Sequence, residues 1–151
     1  MKQHEFSKAG RTDKMVSAAG NVFAIRLHIT EDEEKDLVRR INSALPEDII
    51  ILAYARVADD FDARHHCKTR HYRYFFFKED LNLELMEDAA NKFVGRHDFQ
   101  RFCKMQPQYE KSGTSKEIFI SKIVDLKNNS DFLPMAYYDC KGTGFLWHQV
   151  L

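Results

Sequence analysis

Cysteine is scarce in this chain of 151 residues: Cys67, Cys103 and Cys140 stand far apart. An odd count at that spacing gives no disulfide framework and no CxxC pair for zinc, so the expected setting is reducing and intracellular. Long apolar runs are also missing. The longest, Ile49 to Ala55, is about seven residues against the roughly 20 that a membrane helix needs, and Met1-Lys2-Gln3-His4-Glu5 opens without an apolar signal region. No membrane partner is expected. Neither sign of charge is in excess, with 23 Lys and Arg against 23 Asp and Glu. Any nucleic-acid binding must therefore use a local basic patch rather than a global field. No internal repeat or low-complexity tract occurs. What is present is a globular balance, 44% hydrophobic and 30% charged, with aromatics at 13%. That excludes wholesale disorder. The length fits one domain, or two small halves sharing a core, with enough buried surface to need no metal or disulfide staple.

Periodicity divides the chain. Residues 6–20 are small, polar and charged and read as a loop. Asn21 to Ile29 alternates as a strand. Thr30 and Glu33 make a capping-box pattern for a helix burying Leu37, Val38, Ile41 and Leu45, its leading acids and trailing Arg39 and Arg40 matched to the macrodipole, and Pro46 ends it. Ile49 to Val57 reads as a central strand. The acidic stretch Ala58-Asp59-Asp60 marks a boundary between segments 1–58 and 59–151. Thr69 to Phe77 reads as a strand, and Leu83 to Val94 as a helix with Gly95 just past its end. Strands at about 118–126 and 132–140 are joined by a turn at Asn128-Asn129-Ser130-Asp131. Phe145 to Leu151 reads as the first turns of a helix. The β-α-β and β-α-β-β order predicts an α+β fold of ferredoxin-like halves. The chain opens on a loop and closes inside an apolar segment, so truncation at both ends is expected.

Four constellations are candidates for chemistry. In Gly10-Arg11-Thr12-Asp13-Lys14, the flanking cations favour the carboxylate form of Asp13. That suits a nucleophile or charge stabiliser; a plain surface turn is the alternative. Arg64 to Tyr74 is the basic patch hidden by the neutral net charge. On a strand, Arg70, Tyr72, Tyr74 and Phe76 share a face, where Arg beside Tyr can hold a phosphate and stack a base; an edge strand with a solvated basic face is the alternative. His65, His66, Cys67 and His71 follow no usual zinc spacing. His97 and Asp98 read either as an acid–base pair or, more commonly for adjacent residues, as a turn cap. Gly142 to Val150 has Gly-x-Gly without a third glycine or a P-loop lysine. It reads as a bend into a buried helix that makes His148 an interior histidine.

The order and spacing of these segments carry more than each alone. Ala9-Gly10-Arg11-Thr12-Asp13-Lys14 with Val16-Ser17-Ala18, Asp62-Ala63-Arg64 before Arg70-His71-Tyr72-Arg73-Tyr74, Gly95-Arg96-His97-Asp98-Phe99, and Gly144-Phe145-Leu146-Trp147-His148-Gln149-Val150 together resemble the tRNA pseudouridine synthase A family. Phe102-Cys103-Lys104-Met105, and Leu45-Pro46 leading to Ile51-Leu52-Ala53, resemble its eukaryotic subgroup acting on positions 38 and 39 of tRNA. The resemblance implies two ferredoxin-like halves sharing a mainly antiparallel sheet with a basic cleft, commonly as a homodimer, in the nucleus or cytoplasm. It implies isomerisation of uridine in tRNA to pseudouridine with no cofactor and no metal. Asp13 takes the nucleophile's position and Tyr72 that of the tyrosine lying against the target uracil. Thr12 orders the loop. Arg11 and Arg64 orient phosphate or the flipped nucleotide, with Arg70 also on the basic strand. These roles suit the chemistry, since glycosidic cleavage needs a carboxylate near the anomeric carbon and a flipped base wants an aromatic surface.

The chain departs from the family in three places. Met15 stands where the family has glycine, and would be strained if that turn needs positive φ. The family's N-terminal strand and helix are missing. Leu151 stands where an arginine pairs with the catalytic aspartate. An inactive fragment is therefore one expectation, and a non-catalytic RNA-binding module on the same fold is the competing one. An RRM is disfavoured, because the Tyr72 strand lacks the glycine pattern of RNP1.

Overall fold

The computed structural model describes residues 6–126 and 134–150. The chain divides into two compact units, Met1–Cys67 and Lys68–Leu151, each taken here by itself.

In the first unit, β1 (Phe6–Lys8) and β2 (Phe23–Ile25) form an antiparallel pair with Ser7 opposite Ala24. The Phe6 and Phe23 rings stack across it at 5.8 Å. The strand expected over residues 21–29 is thus real but short. The capping box forms: Thr30 Oγ1 accepts from the Glu33 amide, and the Glu33 carboxylate accepts from the Thr30 amide at 3.0 Å. The single expected helix is two, α1 (Glu31–Lys35) and α2 (Leu37–Asn42), because Asp36 leaves helical geometry with φ −110° and ψ 11°. Aspartate is a poor helix-interior residue, and here its carboxylate turns to Arg39 at 2.6 Å.

The strand expected at Ile49 to Val57 does not form. A strand exists only beside a partner that takes its backbone groups, and here the Asn42 carboxamide takes both polar groups of Ile51, at 2.7 and 2.9 Å. Ile50 and Leu52 remain 68% and 78% exposed. Apolar content alone marked this run as central; the Asn42 side chain on Ile51 decides otherwise.

The second unit is a four-stranded antiparallel sheet in the order β3-β6-β5-β4. Its strands are β3 (Arg70–Phe77), β4 (Gly95–Asp98), β5 (Ser115–Asp125) and β6 (Met135–Gly142). The helix α3 (Leu83–Asn91) follows β3, capped by Asn82, whose side-chain oxygen accepts from the Leu85 amide at 3.1 Å. Gly95 has φ 104°, a left-handed value that favours glycine there. A 3-10 turn at Gln100–Phe102 and the short helix α4 (Tyr109–Ser112) lie between β4 and β5. The turn expected at Asn128 to Asp131 lies outside the described residues, but β5 and β6 pair antiparallel as a hairpin requires.

β4 pairs with Ser115 to Ile118, and among the described residues no strand pairs with the rest of that β5 edge. There the Glu87 carboxylate on α3 accepts the Ile123 amide. Phe99, Ile118, Cys140 and Leu146 form the buried centre, with Phe93, Tyr138 and Phe145 packed on it. The fold is α+β with antiparallel sheets, as expected, and its strands fall into two sheets. Among the described residues, no helix is long and apolar enough to cross a membrane.

Candidate functional site

Two segments of the first unit are anchored to one strand. The β1–β2 ladder continues past Lys8 through Ala9, whose amide donates to Val22 O at 2.9 Å. At the next position a side chain replaces the partner backbone. Asn21 Oδ1 accepts the Gly10 amide at 3.0 Å, and Asn21 Nδ2 donates to Gly10 O at 3.4 Å. A Cβ on Gly10 would meet this carboxamide at 3.1 Å, so glycine gives the clamp its room. Beyond the clamp, residues 11–20 form an exposed loop carrying Arg11, Thr12, Asp13 and Lys14. Its turn is closed by the Val16 amide donating to Asp13 O at 3.4 Å, with Met15 at φ 71°. The strain expected for methionine at this position is therefore present.

The second segment carries Arg64. Asp62 Oδ1 accepts the amides of Arg64 and His65, both at 2.8 Å, and lies 3.1 Å from His65 Nδ1. The His65 amide, followed by burial acting the other way and then the His65 ring, holds the Asp62 carboxyl below its ordinary range. His66 stacks on Phe61 at 5.1 Å and sets its Nδ1 2.9 Å from the Asp62 amide. Both histidines thus shape a turn. Ala63, only 3% exposed, donates its amide to Ser7 Oγ on β1 at 2.9 Å. The Asp13 loop and the Arg64 turn therefore hang from one strand and its continuation, at anchors roughly 10 Å apart along it. Neither Ser7 nor Asn21 was a sequence candidate. A Gly-to-Asn spacing that closes a hairpin loop is visible only once the strands are paired.

In the second unit, the expected face of β3 forms. Tyr74 and Phe76 line an apolar groove with Met86, Ala89 and Ala90 of α3. Tyr72, opposite Cys140, sets its ring edge-on to Phe145 at 5.1 Å. Arg70, at the β3 end, donates from Nη1 to Thr143 O at 3.3 Å. The other face holds a cluster that the sequence reading missed. Asp139, only 6% exposed, sits 2.7 Å from His71 Nε2 and 3.4 Å from Arg73 Nε. Arg73 also covers the Tyr137 ring at 5.1 Å. The sequence offered no signal for it, because Asp139 comes opposite Arg73 only through the β3–β6 register.

The other constellations resolve structurally. His97 Nε2 lies 2.9 Å from Val94 O. Asp98 accepts from the Thr114 hydroxyl and, at 3.0 Å, from the Gln100 amide, and these bonds hold its carboxyl below the ordinary range. They are turn caps, not an acid–base pair. Gly142 lies so close to β5 that a Cβ would meet Glu117 O at 2.7 Å.

The helix expected from Phe145 does not form: the Gln149 amide donates to Leu146 O at 3.2 Å in a turn whose His148 has φ 61°, outside right-handed helical geometry. Leu146 donates to Gln149 Oε1 at 2.7 Å and Trp147 to the Tyr109 hydroxyl at 2.9 Å. His148 is exposed at φ 61°, 4.6 Å from the Trp147 ring, rather than interior. Leu151 lies outside the described residues. Among the described residues, no group of three or more His, Cys, Asp or Glu side chains could hold a metal ion.

Comparison with known proteins adds to this geometry. A family profile described as tRNA pseudouridine synthase matches residues 89–150. A tRNA pseudouridine(38/39) synthase of Saccharomyces cerevisiae is 38% identical over 99% of this chain and 36% of its own length. The Homo sapiens protein of the same name is 35% identical over 96% of this chain and 35% of its length. A tRNA pseudouridine synthase A of Methanobrevibacter smithii is 35% identical over 99% of this chain and 52% of its length. The chain thus spans between about a third and a half of the length of the relatives it matches.

Proposed function

The chain belongs to the tRNA pseudouridine synthase family, and from that premise we propose that its protein is an isomerase converting uridine to pseudouridine in tRNA. The proposed target is the anticodon stem-loop, at the positions 38 and 39 named for its eukaryotic relatives. The observation that carries this reading is the presentation of Asp13. An exposed Arg-Thr-Asp-Lys loop is closed at its base by the Asn21 clamp, and the strand that begins it also holds the Arg64 turn.

In this reading the Asp13 carboxylate attacks C1′ of the ribose as the N1–C1′ bond breaks; the base turns, C5 bonds to C1′ and displaces the carboxylate, the C5 proton leaves to solvent and N1 takes up a proton. Tyr72 packs on the uracil, which must leave its stack to be reached. Arg11, Arg64 and Arg70 bind the phosphates around it. No cofactor or metal enters the proposal. We further propose a homodimer acting in the nucleus or cytoplasm.

Asp13→Ala in the full-length protein is expected to abolish tritium release from labelled uridine in tRNA while changing tRNA affinity less than threefold, because phosphate contacts dominate affinity. Appreciable product from this variant would remove Asp13 from the nucleophile role. A second reading, an RNA-binding module without catalysis, is favoured by the strained Met15 in the Asp13 turn. Full tRNA affinity without product in the unsubstituted protein would establish it.

A further inference from the structure

We infer that Asn21 is a positioning residue for Asp13, acting through Gly10. This rests on the reading of Asp13 as the nucleophile. The ladder from β1 to β2 ends in backbone bonding at Ala9 and Val22. The next rung is made by the Asn21 carboxamide, which engages both the amide and the carbonyl of Gly10 and also accepts the Val22 amide at 2.9 Å. One planar group thus fixes the point where the chain leaves the hairpin, and Asp13 follows closely. The backbone bond from Val16 to Asp13 closes the turn locally but does not tie it to the strands.

The clamp needs a donor and an acceptor on one short side chain. Asparagine supplies both. Aspartate presents a second oxygen to the Gly10 carbonyl, and alanine presents nothing. A displacement of about 1 Å at a reacting group can lower a rate by about 100-fold, so the clamp acts on the chemical step rather than on tRNA capture.

The test uses the full-length protein with tRNA, measuring kcat, KM and Tm for Asn21→Ala, Asn21→Asp, Asn21→Gln, Gly10→Ala and the pair Gly10→Ala/Asn21→Ala, with Asp13→Asn as reference. Asn21→Ala and Asn21→Asp are expected to lower kcat by about 10- to 100-fold with KM within twofold. Asn21→Gln, which keeps both groups, is expected to recover part of the loss. Gly10→Ala alone is expected to lower kcat, and to add little to Asn21→Ala because the atoms its Cβ meets are gone. Unchanged kcat in Asn21→Ala and Asn21→Asp overturns the inference while leaving an inactive Asp13→Asn as support for the nucleophile. A loss confined to KM, or one that follows a lowered Tm across the variants, also overturns it. An active Asp13→Asn instead removes the reading on which the inference stands.

Discussion

Met15 has a backbone that its side chain does nothing to justify. Its φ is 71° and the residue is 92% exposed. Left-handed geometry disfavours a non-glycine residue by about 1–2 kcal/mol, partly offset in a glycine variant by greater freedom of the unfolded chain. Met15→Gly is expected to raise stability by about 0.5–1 kcal/mol in urea denaturation; a loss of stability would show that the turn does not hold this geometry. Asp98 gives a pH prediction. Its folded pKa is lowered by the Thr114 hydroxyl and then the Gln100 amide. The contribution is therefore complete above the unfolded value of about 4 and disappears as pH falls through the folded value. Asp98→Asn is expected to flatten the acid limb of Tm against pH below the unfolded value of about 4 while leaving its shape at neutral pH. An unaltered acid limb would assign that slope to other carboxylates.

At the scale of elements, a buried serine on the sheet of the second unit makes one polar link to α3 and another within the sheet. The Ser121 hydroxyl donates to Ala90 O at 2.6 Å and lies 2.8 Å from the Tyr138 hydroxyl. Burial is the main cause that pushes the Tyr138 phenol up, so it stays neutral and hydrogen-bonded. Ser121→Ala removes that hydroxyl from the phenol, which keeps the Cys140 thiol beside it, and the expected loss is about 1–3 kcal/mol, read by chemical denaturation. Tyr138→Phe added to Ser121→Ala is expected to be less than additive, since the first change already breaks the link. The first unit's segments are also tied by side-chain links. There, Asn42 holding Ile51 converts an apolar run from a strand into an irregular segment.

At the scale of the whole molecule, the formal charge is zero, and binding to tRNA rests on local cations. Arg64 belongs to the first unit and Arg70 to the second. Replacing each by glutamine is expected to weaken tRNA binding and to reduce the slope of log affinity against log salt by about 0.7–0.9 per lost phosphate contact. A slope unchanged in both variants would mark them as structural cations, with Arg70 bound to the Thr143 carbonyl.

Local signals were legible in the sequence. The Thr30–Glu33 box, the helix after Asn82, the alternation through Tyr72 and the Gly-Arg-Thr-Asp loop depend on residues a few positions apart, whose geometry follows from helix and strand periods. Pairing was not legible. The shortness of β2, the loss of a strand at Ile49 to Val57, β4 itself and the fate of His148 each turn on what lies beside the segment. So do the roles of Asn21, Ser7 and Asp139, whose partners stand far away in sequence, with Ser7 reaching Ala63 and Asp139 reaching His71. The sequence by itself determined which residues carry charge, aromatic surface and turn geometry. Only the tertiary structure decided which backbone groups find partners, because a hydrogen bond or a buried carboxylate is satisfied by neighbours in space rather than along the chain.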